Sequence, residues 1–126
     1  MNRYFDIALN LASERFSGER DKVIADALAL NVSYFNIVCS SLNELDFVKD
    51  LNNRYKQNSC FTLGVHPHNA NELNGNTLES LKDSIKIHQP SAVGETGLDF
   101  FRNLSSYENQ INAFEEQIII SIENNL

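Results

Sequence analysis

Four short apolar runs alternate with longer segments in which apolar residues recur every three or four positions. The runs cover residues 4–9, 33–39, 59–65 and 91–95 and are rich in β-branched and aromatic side chains. Most are near-continuously apolar rather than strictly alternating, the pattern of parallel strands covered on both faces. Successive runs start roughly 30 residues apart, the length of one strand-helix unit. The pattern predicts an α/β fold, a parallel sheet with helices outside it.

The intervening segments keep the same register. After Glu19, the residues Val23, Ile24, Ala27 and Leu28 share one helical face, and Asn31 is suited to a left-handed stop. Ser41 and Glu44 have capping-box spacing ahead of Leu45, Val48, Leu51 and Tyr55. Asn76 with Glu79 predicts a third helix bearing Leu78, Leu81 and Ile85. Ser105 with Glu108 predicts a fourth, whose core stripe would be Ile111, Phe114, Ile118 and Ile122. Pro90 ends the third helix and opens the fourth run. With no low-complexity linker in between, residues 1–126 are expected to form a single domain.

Composition narrows the classes. With 42% apolar and 21% charged residues the chain is neither disordered, collagen-like nor coiled-coil. No apolar run approaches the roughly 18 residues of a membrane-spanning helix, and the polar N-terminus carries Asp6. A soluble cytoplasmic protein with no membrane partner is expected. The net charge of -7, from 17 acids and 10 bases, argues against gripping nucleic acid by surface charge alone. Cys39 and Cys60 lack CxxC spacing and read as small buried apolar residues.

Ligands of parallel α/β sheets gather beyond the carboxyl ends of the strands, which directs the search for chemistry. The first run ends at Asn10, the third enters Gly64-Val65-His66-Pro67-His68, and the fourth enters Gly94-Glu95-Thr96-Gly97-Leu98-Asp99. The second ends in Cys39-Ser40-Ser41, which needs no role beyond helix capping. His66 and His68, two residues apart, share a face if the backbone stays extended, and such a pair suits a metal or a phosphate. The alternative is that Pro67 breaks the extension and leaves one imidazole as a loop hydrogen-bonder. Glu95 lies between glycines, where a carboxylate is costly to bury unless paired or bound to a cation; a helix-capping or salt-bridged acid is the plainer reading. Asp99 and Arg102 lie on the same rim and could simply pair. Asn10 is a poor ligand for a borderline metal and reads as a supporting residue. His88 falls at the opposite rim and is set aside.

Counted as ligands, only Glu95 is convincing, with His66 or His68 as helpers, where a catalytic metal site usually has three or more protein donors. Four parallel strands also leave two uncovered sheet edges. Further strand-helix units would close both gaps.

The segments Phe5-Asp6-Ile7-Ala8-Leu9-Asn10-Leu11, Gly64-Val65-His66-Pro67-His68 and Gly94-Glu95-Thr96-Gly97-Leu98-Asp99-Phe100-Phe101-Arg102-Asn103 resemble, in order, the TatD family of metal-dependent deoxyribonucleases. The resemblance implies a TIM (β/α)8-barrel of the metal-dependent hydrolase type. Such barrels typically need about 250 residues, so the chain resembles the first four βα units, a half-barrel. It further implies that Glu95 is the metal-bridging glutamate and that His66 and His68 are the rim histidines, with substrate or supporting duty. Asp99 and Arg102 would continue the motif and brace the site. The implied cofactor is a divalent cation, Mg²⁺ first, with Mn²⁺ or Zn²⁺ as alternatives. The implied substrate is DNA, as single strands or strand ends, cleaved exonucleolytically. Many relatives carry an H-x-H pair on the first strand where this chain has Ala8 and Asn10, and the family's remaining ligands, two histidines and an aspartate, lie on later strands. Weak or no activity is therefore expected of the chain alone. The competing expectation is a non-catalytic half-barrel that self-associates through its sheet edges.

Overall fold

The computed structural model describes residues 3–126; Met1 and Asn2 lie outside it. Three parallel strands, β1 (Tyr4–Leu9), β2 (Val32–Cys39) and β3 (Ser59–Leu63), form a sheet in the order β1-β2-β3. Helices α1 (Arg20–Ala29) and α2 (Leu45–Arg54) are the crossovers that parallel neighbours require, and α3 (Gly75–His88) and α4 (Tyr107–Asn124) follow β3. Among the described residues no helix is long and apolar enough to cross a membrane.

The expected α/β layering is present. Phe35, Ile37 and Cys39 of β2 and Phe61 and Leu63 of β3 face a core completed by Ile24 of α1, Val48 and Leu51 of α2, Leu81 and Ile85 of α3 and Ile120 of α4. β2 is buried continuously from Phe35 to Cys39, on both faces. The expected two-sided cover fails for β1, where residues 4–8 are exposed. Among the described residues β1 pairs on one side only, and its register against β2 shifts twice. Cys39 is buried as expected, whereas Cys60 is only partly so.

The fourth run lies where a fourth parallel strand was expected, but it is shorter. The Ser91 N–H donates to the Phe61 carbonyl (2.9 Å), the Leu63 N–H to the Ala92 carbonyl (3.3 Å) and the Gly94 N–H to the Leu63 carbonyl (3.1 Å). This amounts to a single parallel bridge, Leu63 to Val93, rather than a strand over 91–95. Pro90 lacks a donor and the segment pairs on one side alone, which limits the ladder.

Helix ends moved by one or two residues. Asn31 does adopt the left-handed stop, at φ 68°. The Ser41–Glu44 box gives way to a 3-10 turn, Leu42–Glu44, and the Glu44 carboxylate accepts from the Ser40 N–H instead (2.9 Å). α3 starts after Asn74, whose N–H donates to Thr77 Oγ1 (2.7 Å), not at Asn76. α4 starts after Ser106, whose hydroxyl accepts from the Asn109 N–H (3.2 Å), not at Ser105.

A larger correction concerns the face of α4. Ile118 and Ile122 are exposed and Ile111 and Phe114 only partly covered, while Gln110, Ala113, Gln117 and Ile120 turn inward. The inward face carries two amides because it meets unpaired backbone groups as well as the core.

Candidate active site

The carboxyl end of β3 is brought against the 91–95 segment by Gly64. A Cβ there would lie 2.8 Å from the Gly94 carbonyl carbon and 2.8 Å from Gln117 Oε1, so only glycine permits the approach. Three residues later Pro67 opens a 3-10 helix, Pro67–Glu72, and His66 becomes its N-cap, accepting the His68 N–H at Nδ1 (3.1 Å). The extended pairing of the two histidines is thus broken at Pro67, as the alternative reading supposed. The rings nevertheless meet edge to face, with centroids 4.2 Å apart.

Asp99 organises the second half of the cluster. His68 Nε2 donates to Asp99 Oδ2 (2.7 Å), which also accepts from the Arg102 guanidinium (2.9 Å). Oδ1 accepts the N–H groups of Phe101 (3.2 Å) and Arg102 (3.0 Å). The simple Asp99–Arg102 pair is present, with His68 added to it. The Arg102 N–H, His68 and the Arg102 side chain, in that order, hold the Asp99 carboxyl well below the usual carboxylate range. With both oxygens doubly engaged, Asp99 has no lone pair readily spared for a metal.

His66 sits against Glu95, with Nε2 3.7 Å from Oε1. Burial pushes the His66 pKa down, opposed in part by the Glu95 charge, so its ring is neutral at pH 7. Because Nδ1 accepts a backbone N–H, the neutral ring carries its proton on Nε2 and offers the rim a donor rather than a metal-binding lone pair. Glu95 itself is 52% exposed and makes no hydrogen bond among the described residues. Beside it, Thr96 Oγ1 is buried without a hydrogen-bond partner among the described residues. Among the described residues, no group of three or more His, Cys, Asp or Glu is arranged to hold a metal. A free carboxylate is a hard donor, so Glu95 fits a divalent cation as one ligand of a larger set.

Asn10 is not drawn into this cluster. It is exposed, its carbonyl accepts the Ser13 N–H (3.4 Å), and among the described residues its side chain bonds to none of His66, His68, Glu95, Asp99 or Arg102. His88 closes α3 on the side where the chain turns back toward Pro90, away from the cluster.

The sequence reading missed the supports. Gln117 accepts the Val65 N–H (2.7 Å) and donates to the Val65 carbonyl (3.1 Å). Gln110, two turns earlier on the same face, accepts the Asp99 N–H (2.8 Å) and donates to the Ser105 carbonyl (2.8 Å). Ser105 Oγ donates to the His68 carbonyl (2.8 Å). The signal available was a pair of glutamines seven residues apart, two turns along one face of the helix.

A family model described as TatD related DNase matches residues 5–126. The chain is 39% identical over 119 residues to the 3'-5' ssDNA/RNA exonuclease TatD of Erwinia tasmaniensis, covering 94% of this chain and 46% of that protein. It is 37% identical over 123 residues to the protein of the same name from Escherichia coli (strain K12), covering 97% and 46%. A crystal structure of a TatD family hydrolase from Entamoeba histolytica superposes with a TM-score of 0.85 at 26% identity, covering 97% of this chain and 46% of that one. A TatD homolog from Escherichia coli K12 shares the fold with a TM-score of 0.88 at 24% identity, covering 98% and 48%. The chain spans about half the length of the curated relatives it matches.

Proposed function

Since this chain belongs to the TatD-related DNase family of hydrolases, we propose that it forms the N-terminal half, residues 1–126 as one domain, of a cytoplasmic divalent-metal-dependent nuclease that hydrolyses phosphodiester bonds at the ends of single-stranded DNA. The three strands and the 91–94 segment would be the first four βα units of a (β/α)8 barrel. The continuous parallel order and the exposed outer edge of β1 support that arrangement. The observation that carries the functional reading is the rim cluster: an open Glu95 beside neutral His66, and His68 braced by Asp99 and Arg102.

Each residue has a distinct part. Glu95 would hold the cation, Mg²⁺ first with Mn²⁺ or Zn²⁺ as alternatives, through a carboxylate that makes no hydrogen bond among the described residues. When bound, such an ion neutralises phosphate charge, lowers the pKa of a bound water, and supplies the positive field that a chain of net charge -7 lacks. His66 Nε2–H would donate to a phosphate oxygen near Glu95. His68 has its Nε2–H committed to Asp99, which fixes the ring orientation and leaves Nδ1 as its acceptor. The exposed Arg102 guanidinium keeps N–H groups free for a phosphate beyond the one given to Asp99. Asn10 would support the site only if the β1 end closes over it. One metal-donating carboxylate is a short ligand set, so activity of the chain alone is expected to be weak.

The test is hydrolysis of single-stranded DNA in Mg²⁺ or Mn²⁺ by the chain and by its Glu95→Gln variant. Turnover that depends on metal and disappears in the variant supports the reading. Robust turnover indifferent to the substitution overturns the role of Glu95.

One observation favours a second reading, a non-catalytic half-barrel that self-associates. β1 exposes Tyr4, Phe5 and Ile7 along an unpaired edge, a surface that invites strand pairing. Sedimentation equilibrium separates the two, since a stable dimer favours the second and a monomer counts against it.

A further inference from the structure

Large aromatic side chains normally lie inside a fold, yet three are exposed within residues 100–107, where the rim cluster leads into α4. Phe101 is 95% exposed, and Phe100 and Tyr107 are stacked on each other with centroids 4.5 Å apart and planes at 26°. The segment that carries all three is anchored to the candidate active site. The Phe101 N–H donates to Asp99 Oδ1, and the other oxygen of that carboxylate accepts the His68 Nε2–H. Gln110 of α4 holds the Asp99 N–H, and Tyr107 is the first residue of the same helix. Hydrogen bonds to Asp99 and Gln110 therefore tie the segment that carries the aromatics to the rim cluster.

We propose that Phe100, Phe101 and Tyr107 form a stacking platform for unpaired nucleobases of a single strand, beside the His68–Asp99 pair. The inference rests on the nuclease reading and specifies how the substrate is gripped. With 17 acids against 10 bases, the surface attracts a polyanion poorly, so a non-ionic contact has to add to what the cation and Arg102 supply. Base-aromatic stacking is such a contact, and it tolerates any sequence because every base has a π-face. Bases inside a duplex already have both faces covered, so the platform selects single strands.

The experiment is fluorescence anisotropy with a fluorescein-labelled oligothymidylate and an abasic oligomer of equal length, both in EDTA. The full chain is expected to bind the oligothymidylate more tightly than the abasic strand. Phe101→Ala should weaken oligothymidylate binding about 5- to 100-fold and leave the abasic strand unaffected, while Phe101→Trp restores binding. Because Phe101 is almost fully exposed, an unchanged thermal midpoint will show that the alanine variant folds. Equal affinity for the two strands, or an alanine variant that binds like the parent, overturns the proposal. So does a dimer that Phe101→Ala dissolves in a chain that binds no oligomer, since the patch is then a contact between copies. Loss of base binding with Glu95-dependent hydrolysis intact condemns the platform alone, whereas base binding in EDTA without metal-dependent hydrolysis upholds the platform and condemns the metal site.

Discussion

β1 and β2 are neighbours in the same parallel sheet, and both are built mainly from apolar residues. From Phe35 to Cys39 every side chain of β2 is buried, while in β1 Ile7 is 73% exposed and Tyr4 and Phe5 lie more than half in solvent. The residues do not account for the difference; the neighbours do. β2 has a strand on each side and helices against it, whereas among the described residues β1 has a strand, β2, on one side and reaches the core only through Leu9 at its end. The same asymmetry runs along the carboxyl rim. The β3 end is netted by His66, His68, Asp99, Gln110 and Gln117, and the β1 end presents Asn10 without a partner in that net.

The largest effect should come from the buried strand. Ile37 is fully inaccessible at the centre of the core, so Ile37→Ala removes apolar contact and leaves a cavity. A loss of about 2 to 5 kcal/mol is expected, read as a lower urea midpoint at unchanged slope. A loss below about 1 kcal/mol would mean that β2 is not the mechanical centre that its burial implies.

A smaller effect is expected where α4 supports the rim. Gln117→Leu keeps the volume but leaves the buried Val65 N–H and carbonyl without partners. The expected cost is about 1 to 3 kcal/mol, and amide hydrogen exchange at Val65 should accelerate by more than the global loss accounts for. Unchanged protection at Val65 would remove Gln117 from the frame that positions His66.

These supports mark the boundary of what the sequence reveals. Apolar runs place β2, β3 and the helices because burial of such runs is generic, and Asn31 announces its left-handed stop because few residues tolerate one. The rim residues are legible for a similar reason, since strand ends in a parallel sheet converge on one side. The face of α4 is not legible. Counting isoleucines selects Ile111, Ile118 and Ile122, but the inward side is decided by the backbone groups at Val65 and Asp99, which only the folded chain places opposite Gln117 and Gln110. Helix starts slip because adjacent candidates are chemically equivalent, Ser105 for Ser106 and Asn76 for Asn74. The roles of the histidine nitrogens are hidden too, because Pro67 turns His66 into an N-cap and thereby fixes where its proton sits.

The smallest effect should be the counterpart on β1. Ile7→Ser alters a side chain that already keeps most of its contact with water, so the dilute chain is expected to change by no more than about 0.5 kcal/mol. The same substitution becomes costly once something covers β1, because the isoleucine then has burial to lose. Urea unfolding at two protein concentrations distinguishes the cases. A midpoint independent of concentration, and indifferent to Ile7→Ser, leaves β1 bare in solution. A midpoint that rises with concentration in the parent and not in the variant identifies a second copy as the cover, since anything that binds only the folded state stabilises it by mass action. Covering β1 in this way would erase its contrast with β2, as a difference created by missing neighbours must vanish when a neighbour is supplied.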